Sequence, residues 1–315
     1  MMKALITGGA GFLGSHMVDH LLSKNFEVVV LDNLSSGLKD NLSSGKHVQF
    51  IEGDVLDRST LQIAGQDCDI IFHFAAKHPN TVGHVIQYSA LEPADDAHST
   101  IVGAINVLEQ ARIKDSKVVY ISTAAVYGNP PPQPLSESHP VNAVSQYGLS
   151  KYVGEQYCTF YRTQYGIPVN IMRIFNTYGP RQRKYVMFDI LNKLKINSKR
   201  LELLGDPNDK RDFIYVTDAI RAIYLAVEHP NNHGTTINIG TGQATSIDHV
   251  VQNICEILGL NPIITYTGNS WQGNVQIFYS DPSKLMSYDW KSSYTLNAGL
   301  KLLTSWYENT FGKIK

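Results

Sequence analysis

The chain has 315 residues, 43% of them hydrophobic and 17% charged, with a formal net charge of -1. These values exclude a disordered chain and leave no electrostatic footprint for nucleic acid or an anionic membrane surface. The length suits one large α/β domain or a cofactor domain with a smaller companion. Cys68, Cys158 and Cys255 are far apart, without the spacing of a zinc site or a disulfide framework, and read as reduced thiols. The N-terminus enters a β-type run with no leader pattern, and no run nears the roughly 18 to 20 apolar residues of a spanning helix. The expectation is a cytoplasmic protein with no nucleic-acid, membrane or metal partner. His73, His84 and His98 have no metal-ligand spacing.

Short β-type runs fall at residues 4–7, 27–31, 47–52, 70–74, 117–122 and 169–175. Amphipathic helical stretches at 15–24, 95–112 and 146–165 lie between them. This alternation predicts an α/β fold, a doubly wound parallel sheet with helices on both faces. Beyond residue 176 the rhythm breaks into a loop YGPRQRKYV, helices near 188–195 and 217–228, a strand at 201–204 and another at 235–239. Helices at 246–258 and 297–309 follow, separated by an irregular stretch. The expected organisation is a cofactor domain over 1–176, rejoined by segments near 210–245, and a smaller C-terminal substrate-binding lobe over 177–315. The proline-rich PPPQP at 130–134 reads as a surface loop.

Gly8, Gly11 and Gly14 in GGAGFLG follow the first strand and open the first helix. Glycines so placed permit a tight turn, close approach of backbone to a pyrophosphate, and close helix packing. Asp32 ends the second strand, where a carboxylate can accept hydrogen bonds from ribose hydroxyls and repel a 2′-phosphate, favouring NAD over NADP. Asp54, at the end of the third strand, is placed to bond the adenine amino group.

Tyr147 and Lys151 in YGLSK stand four apart on one helix face. A lysine ammonium roughly 6 Å from a tyrosine, at an effective dielectric near 20, favours phenolate by about 2.8 kcal/mol, or about two pKa units. That would move Tyr147 toward a general base. Thr123 ends the preceding strand, where its hydroxyl can share the reacting oxygen. Alone, the Tyr/Lys pair equally describes a half-buried tyrosine beside a solvated lysine. The ordered set of glycine loop, Asp32, Thr123, Tyr147 and Lys151 is far more specific.

These blocks resemble the extended short-chain dehydrogenases that act on nucleotide sugars as epimerases and dehydratases. The resemblance spans essentially the whole chain and includes HFAA (73–76), STAAVYG (122–128), RIFNTYGPRQ (173–182) and KRDFIYVTD (210–218). DNLSSG at 32–37 is similar to the UDP-glucose 4-epimerases. The resemblance implies a Rossmann domain holding NAD and 4-epimerisation by transient oxidation at carbon 4, with Thr123, Tyr147 and Lys151 catalytic. It places Phe12, Leu13, Asn33, Val55, Phe74, Ala75, Ala76, Thr100 and Phe175 beside NAD. Asn176 and Arg211 would hold a substrate diphosphate, and Leu203 would contact the base of a UDP-hexose. It further implies a homodimer through the helices at 95–112 and 146–165.

Ala124 and Ala125 occupy places where dehydratases of this family carry an Asp-Glu pair and decarboxylases commonly a glutamate, which leaves chemistry at carbon 4. The chain departs from the family pattern at Trp271, where an arginine usually clasps the diphosphate, at Asn274, at Thr100 in place of asparagine, and at His78, where some epimerases have lysine. Phe278 aligns with a position that limits room beside carbon 2 of the sugar. The alternatives are another nucleotide-sugar oxidoreductase of this fold, such as a reductase or an epimerase at another carbon, and a non-catalytic NAD-binding protein.

Overall fold

The computed structural model describes residues 1–43, 45–77, 85–229, 234–268 and 275–315. In chain order, β1 (Lys3–Thr7), α1 (Phe12–Ser23), β2 (Glu27–Asp32), β3 (Val48–Glu52), α2 (Arg58–Ala64) and β4 (Ile70–His73) come first. Then follow α3 (Val85–Leu91), α4 (Pro93–Ala97), α5 (Gly103–Lys114), β5 (Lys117–Thr123), α6 (Gln146–Tyr165) and β6 (Val169–Ile174). Next are β7 (Asn176–Tyr178), α7 (Tyr185–Ile196), β8 (Arg200–Leu203), β9 (Lys210–Tyr215), α8 (Val216–Glu228) and β10 (Thr236–Ile239). The chain ends with β11 (Ala244–Ser246), α9 (Ile247–Leu258), β12 (Ile263–Tyr266), β13 (Ile277–Phe278), α10 (Ser283–Met286) and α11 (Leu296–Phe311).

The chain divides into two compact units. Unit 1 comprises Met1–Tyr127, Val141–Ile174 and Ile220–Ile237, and unit 2 comprises Gly128–Pro140, Phe175–Ala219 and Asn238–Lys315. A seven-stranded sheet runs in the order β10-β6-β5-β4-β1-β2-β3. Neighbours from β6 to β3 pair in parallel. Their sequences are near-continuous aliphatic runs because both faces are covered by helices. Leu5, Val29, Ile71 and Val118 from the strands share one core with Val107, Leu108, Ala111 and Cys158 from the helices. Strand order reverses at β1, with β2 and β3 on one side and β4 to β6 on the other, so a crevice opens at the carboxyl ends of β1 and β4.

The helix predicted from 95 to 112 is broken into α4, a π-helical turn over His98–Val102, and α5. Such a turn inserts one extra residue per turn and re-aims the side chains around it. Helix α1 starts at Phe12, ahead of the predicted residue 15, because Gly11 is its N-cap. Helix α6 begins where Ser145 Oγ accepts the Gly148 N–H and ends at Gly166, whose φ of 72° closes it in the left-handed region.

In unit 2, β9 pairs in parallel with β7 and β13 and antiparallel with β11, while β8 and β12 form a separate parallel pair. The stretch after α9 that reads as irregular therefore contains β12, β13 and α10, whose brevity leaves little pattern to read. Asp212, fully buried, ties the sheet together by accepting the N–H of Thr241, Gly242 and Ser280 and the hydroxyls of Thr241 and Ser280, all at 2.5 to 3.1 Å. Residues 131–134 lie exposed as predicted, and Leu135 is buried against Ser280 and Asn238. Among the described residues, no helix is long and apolar enough to cross a membrane.

Within unit 1, Arg173 of β6 grips Glu155 of α6 through Nε at 3.0 Å and Nη2 at 2.7 Å, with both side chains buried. Ser122 Oγ adds a bond to Glu155 at 2.5 Å, and Arg173 Nη1 donates to Tyr127 OH at 3.0 Å. Arg173→Met leaves Glu155 buried without its cation and should lower stability by about 3–5 kcal/mol, read from the urea midpoint. His73 of β4 shares a 2.7 Å bond between Nδ1 and Thr7 Oγ1, and burial pulls its pKa down to about 3. Its folded pKa lies below the ordinary 6.5, so the unfolded chain takes the proton first and stability drains away as pH falls through that ordinary value. Between about pH 7.5 and about pH 5.5, wild type should lose about 1 kcal/mol more than His73→Phe in paired urea titrations.

Candidate active site

The chain leaves β1 through Gly8 at φ +70°, and a Cβ there would stand 2.7 Å from the Ala75 amide nitrogen. A Cβ on Gly14 would stand 2.2 Å from the Gly8 carbonyl oxygen. Backbone fills both places, so only glycine fits. Gly11 is different: an added Cβ meets only the Gly8 carbonyl oxygen, at 3.1 Å. It caps α1 with no side-chain cap bond and no acid in the first turn, leaving the positive helix end open to an anion.

Asp32 lies buried at the end of β2, its Oδ2 accepting the Ala10 N–H at 2.9 Å and its Oδ1 the Leu34 N–H at 2.8 Å. Burial pushes its pKa up, and the amide bonds oppose that. Asn33 Nδ2 donates to Asp54 Oδ2 at 2.8 Å, joining the ends of β2 and β3. Leu38 N–H and Asn41 Nδ2 both donate to the Ala10 carbonyl, folding DNLSSG over the glycine loop. Phe74 N–H donates to the Thr7 carbonyl, which sets Phe74, Ala75 and Ala76 beyond β4, and Val55 is buried against Gly103. Phe12 and Leu13 are half-buried in the first turn of α1. Thr100, 1% exposed in the π-helical turn, has a hydroxyl without a hydrogen-bond partner. An open helix start, glycines that admit only backbone, a carboxylate ending β2 and an orphaned hydroxyl fit a dinucleotide.

Thr123 is the last residue of β5 and Tyr147 lies in the first turn of α6, close enough for the Thr123 hydroxyl to act on the tyrosine. Lys151, one turn on and buried, donates from Nζ to the Ile121 carbonyl at 3.0 Å and lies 5.3 Å from the centroid of the Tyr120 ring. Burial pushes Tyr147 up to about 12; the Thr123 hydroxyl opposes this and the Asp96 charge adds to it. Burial pulls Lys151 down to about 8, against the charges of Asp96 and Glu155. The expectation that Lys151 lowers Tyr147 by about two pKa units is therefore overturned. Removal from water outweighs the ammonium, which is turned to a carbonyl and an aromatic face.

Unit 2 holds the residues matched to substrate binding. Asn176 opens β7 opposite Phe213, and Leu203 ends β8 buried. Arg211 lies in β9 opposite Phe278, its Nη1 donating to the Lys210 carbonyl at 2.8 Å and the Gln276 carbonyl at 3.2 Å. Asp212 beside it in the chain is buried in its own bonds, and a carboxylate of Asp209 stands 3.9 Å from Arg211 Nη2. Phe278 is buried with its ring centroid 5.4 Å from that of Phe175. His78, Trp271 and Asn274 lie outside the described residues.

Two features escape the sequence reading. Asp96, 1% exposed, accepts the Ser150 hydroxyl at 2.7 Å on Oδ2, while its Oδ1 is buried without a partner. The signal was the run of polar residues Asp96, Ser99 and Thr100 on the buried side of a helix. The loop YGPRQRKYV also delivers Lys184 as the N-cap of α7, between Arg181 and Tyr185 at φ 69° and 70°, and burial pulls this lysine down to about 8. Two non-glycine residues in left-handed conformation within five positions mark a strained segment.

The sequence profile of the NAD dependent epimerase/dehydratase family matches residues 4–240. A putative UDP-glucose 4-epimerase of Methanocaldococcus jannaschii is 36% identical over 312 residues, covering 97% of this chain and 98% of the relative. The solved UDP-glucose 4-epimerase of Thermotoga maritima with UDP-glucose superposes with a TM-score of 0.88 at 31% identity, over 98% of this chain and 99% of that one. A UDP-N-acetylglucosamine 4-epimerase from Methanobrevibacter ruminantium, in complex with UDP-N-acetylmuramic acid, gives a TM-score of 0.91 at 28% identity, again over 98% and 99%. With its doubly wound sheet and a glycine loop fitted to a dinucleotide, the chain belongs to the NAD-dependent epimerase/dehydratase family of nucleotide-sugar enzymes.

Proposed function

We propose that this enzyme interconverts UDP-glucose and UDP-galactose by epimerisation at carbon 4. The observation that carries the reading is the placing of Thr123 at the end of β5 with Tyr147 and buried Lys151 one turn apart on α6, Thr123 being followed in the chain by Ala124 and Ala125. The cluster offers proton transfer at one hydroxyl, and the two alanines supply neither acid nor base for elimination or decarboxylation further along the sugar.

Gly8, Gly11, Phe12, Leu13, Gly14, Asp32, Asn33, Asp54, Val55, Phe74, Ala75, Ala76, Thr100 and Phe175 hold NAD in this reading. Bound NAD supplies reversible oxidation at the reacting carbon and a positive charge that favours the Tyr147 phenolate. Tyr147 takes the proton of the 4-hydroxyl and later returns it, while Thr123 shares the reacting oxygen. Lys151, with a pKa of about 8, is an ammonium at neutral pH, held one helical turn from Tyr147. Asn176 and Arg211 bind the diphosphate, for which the guanidinium fork is suited, and Leu203 contacts the base. The buried Phe278 restricts space beside carbon 2, which favours a free 2-hydroxyl over an N-acetyl group.

Purified protein should interconvert UDP-glucose and UDP-galactose without added cofactor and without consuming NADH, followed by NMR of the sugar. Tyr147→Phe should retain NAD while losing at least about two orders of magnitude in turnover. Stoichiometric NADH consumption, or no 4-epimer from these sugars and their N-acetylated and uronic-acid counterparts, would overturn the reading. We also assign the exposed face of α6, bearing Leu149, Tyr157 and Phe160, to a homodimer contact. Phe160→Glu should convert a sedimenting dimer to monomer, and a wild-type monomer would refute the assignment.

A further inference from the structure

We propose that Asp96 is a positioning residue for the Thr123–Tyr147–Lys151 cluster, its buried carboxylate bonded to Ser150 and serving as the counter-charge that keeps Lys151 an ammonium. The inference rests on the reading of Tyr147 and Lys151 as the proton-handling pair. Asp96 projects from α4, which packs on α6, and its Oδ2 takes the hydroxyl of the residue immediately before Lys151. Its Oδ1 is buried with no hydrogen bond. A buried carboxylate with one oxygen unbonded needs a facing cation if it is to stay charged.

The neighbouring groups point to Lys151 as that cation. On the α4 side, Asp95 is committed to Lys77 at 2.7 Å and to Tyr88, with His98 beside it. On α6, Glu155 is held by Arg173 of β6, and Cys158 is a buried thiol. From β5, Tyr120 faces Lys151 with its ring, and from β4, His73 is neutral because burial holds its pKa near 3. The Asp96 charge acts on both Lys151 and Tyr147. A negative charge favours ammonium and disfavours phenolate, so both groups titrate at higher pH with Asp96 present than without it.

Replacing the charge while keeping the shape separates this role from packing. In full-length protein labelled at lysine, the Lys151 ε-carbon signal, identified by its loss in Lys151→Met, reports the titration directly. Asp96→Asn should move that midpoint to lower pH by roughly one unit, while Ser150→Ala, which removes the bond and keeps the charge, should leave it in place. Asp96→Ser serves as a second charge-removing variant if the asparagine form does not fold. In turnover, both limbs of the pH profile should shift to the acid side in Asp96→Asn. An unmoved Lys151 midpoint in the charge-removing variants, or an equal shift in Ser150→Ala, would overturn the proposal. The lysine titration reads the chain itself, so a wild type that epimerises none of the tested sugars would sink the substrate reading and still leave Asp96 tested.

Discussion

Glu155 of α6 and Arg173 of β6 meet inside unit 1 in a two-point contact that excludes water, and Ser122 and Tyr127 complete the arrangement from β5 and the turn after it. Breaking such a pair leaves a bare charge in the interior, so the pair defines how α6 lies on the sheet far more stringently than apolar packing alone. Tyr147, Ser150 and Lys151 all ride on that helix. Thr123 ends the strand that carries Ser122. The placing of Tyr147 and Lys151 against the sheet therefore descends from an ion pair about one turn further along the helix.

The same exclusion of water that rigidifies the cluster works against its chemistry. It drives the tyrosine toward phenol and the lysine toward neutral amine, the wrong direction for both. Positive charge arriving with the cofactor and negative charge at Asp96 act on these two groups in opposite senses. For the proposed reaction, such a site is poorly poised at rest, and proton transfer is favoured once its charges are assembled. That ties acid–base competence to occupancy of the dinucleotide loop.

Much of this was legible in the sequence. Aliphatic runs such as VVVLD and VVYIS specify central strands, and GGAGFLG and Asp32 specify a dinucleotide crevice, because each reflects a local backbone or burial demand. The spacing of Tyr147 and Lys151 placed both on one face of a helix, which the structure shows as α6. What stayed hidden depends on distant contacts: the π-helical turn around Thr100, the pairing of β12 with β8, and the carbonyl that captures Lys151. The sign of the Tyr147 shift was misread for the same reason, since a pairwise charge estimate omits desolvation. Asp96 resembled any polar residue of an amphipathic helix until its burial was known.

Unit 1 and unit 2 each draw on three separate stretches of chain, and the sheet of unit 1 is finished by β10, far beyond the point where unit 2 has begun. Until β10 has been made, the outer flank of β6 is uncovered, a sticky edge awaiting its final strand. Each unit is complete only once stretches of chain on both sides of the other's have been made. A cut of the gene at the end of β6 would therefore yield two incomplete halves, not a transplantable cofactor module.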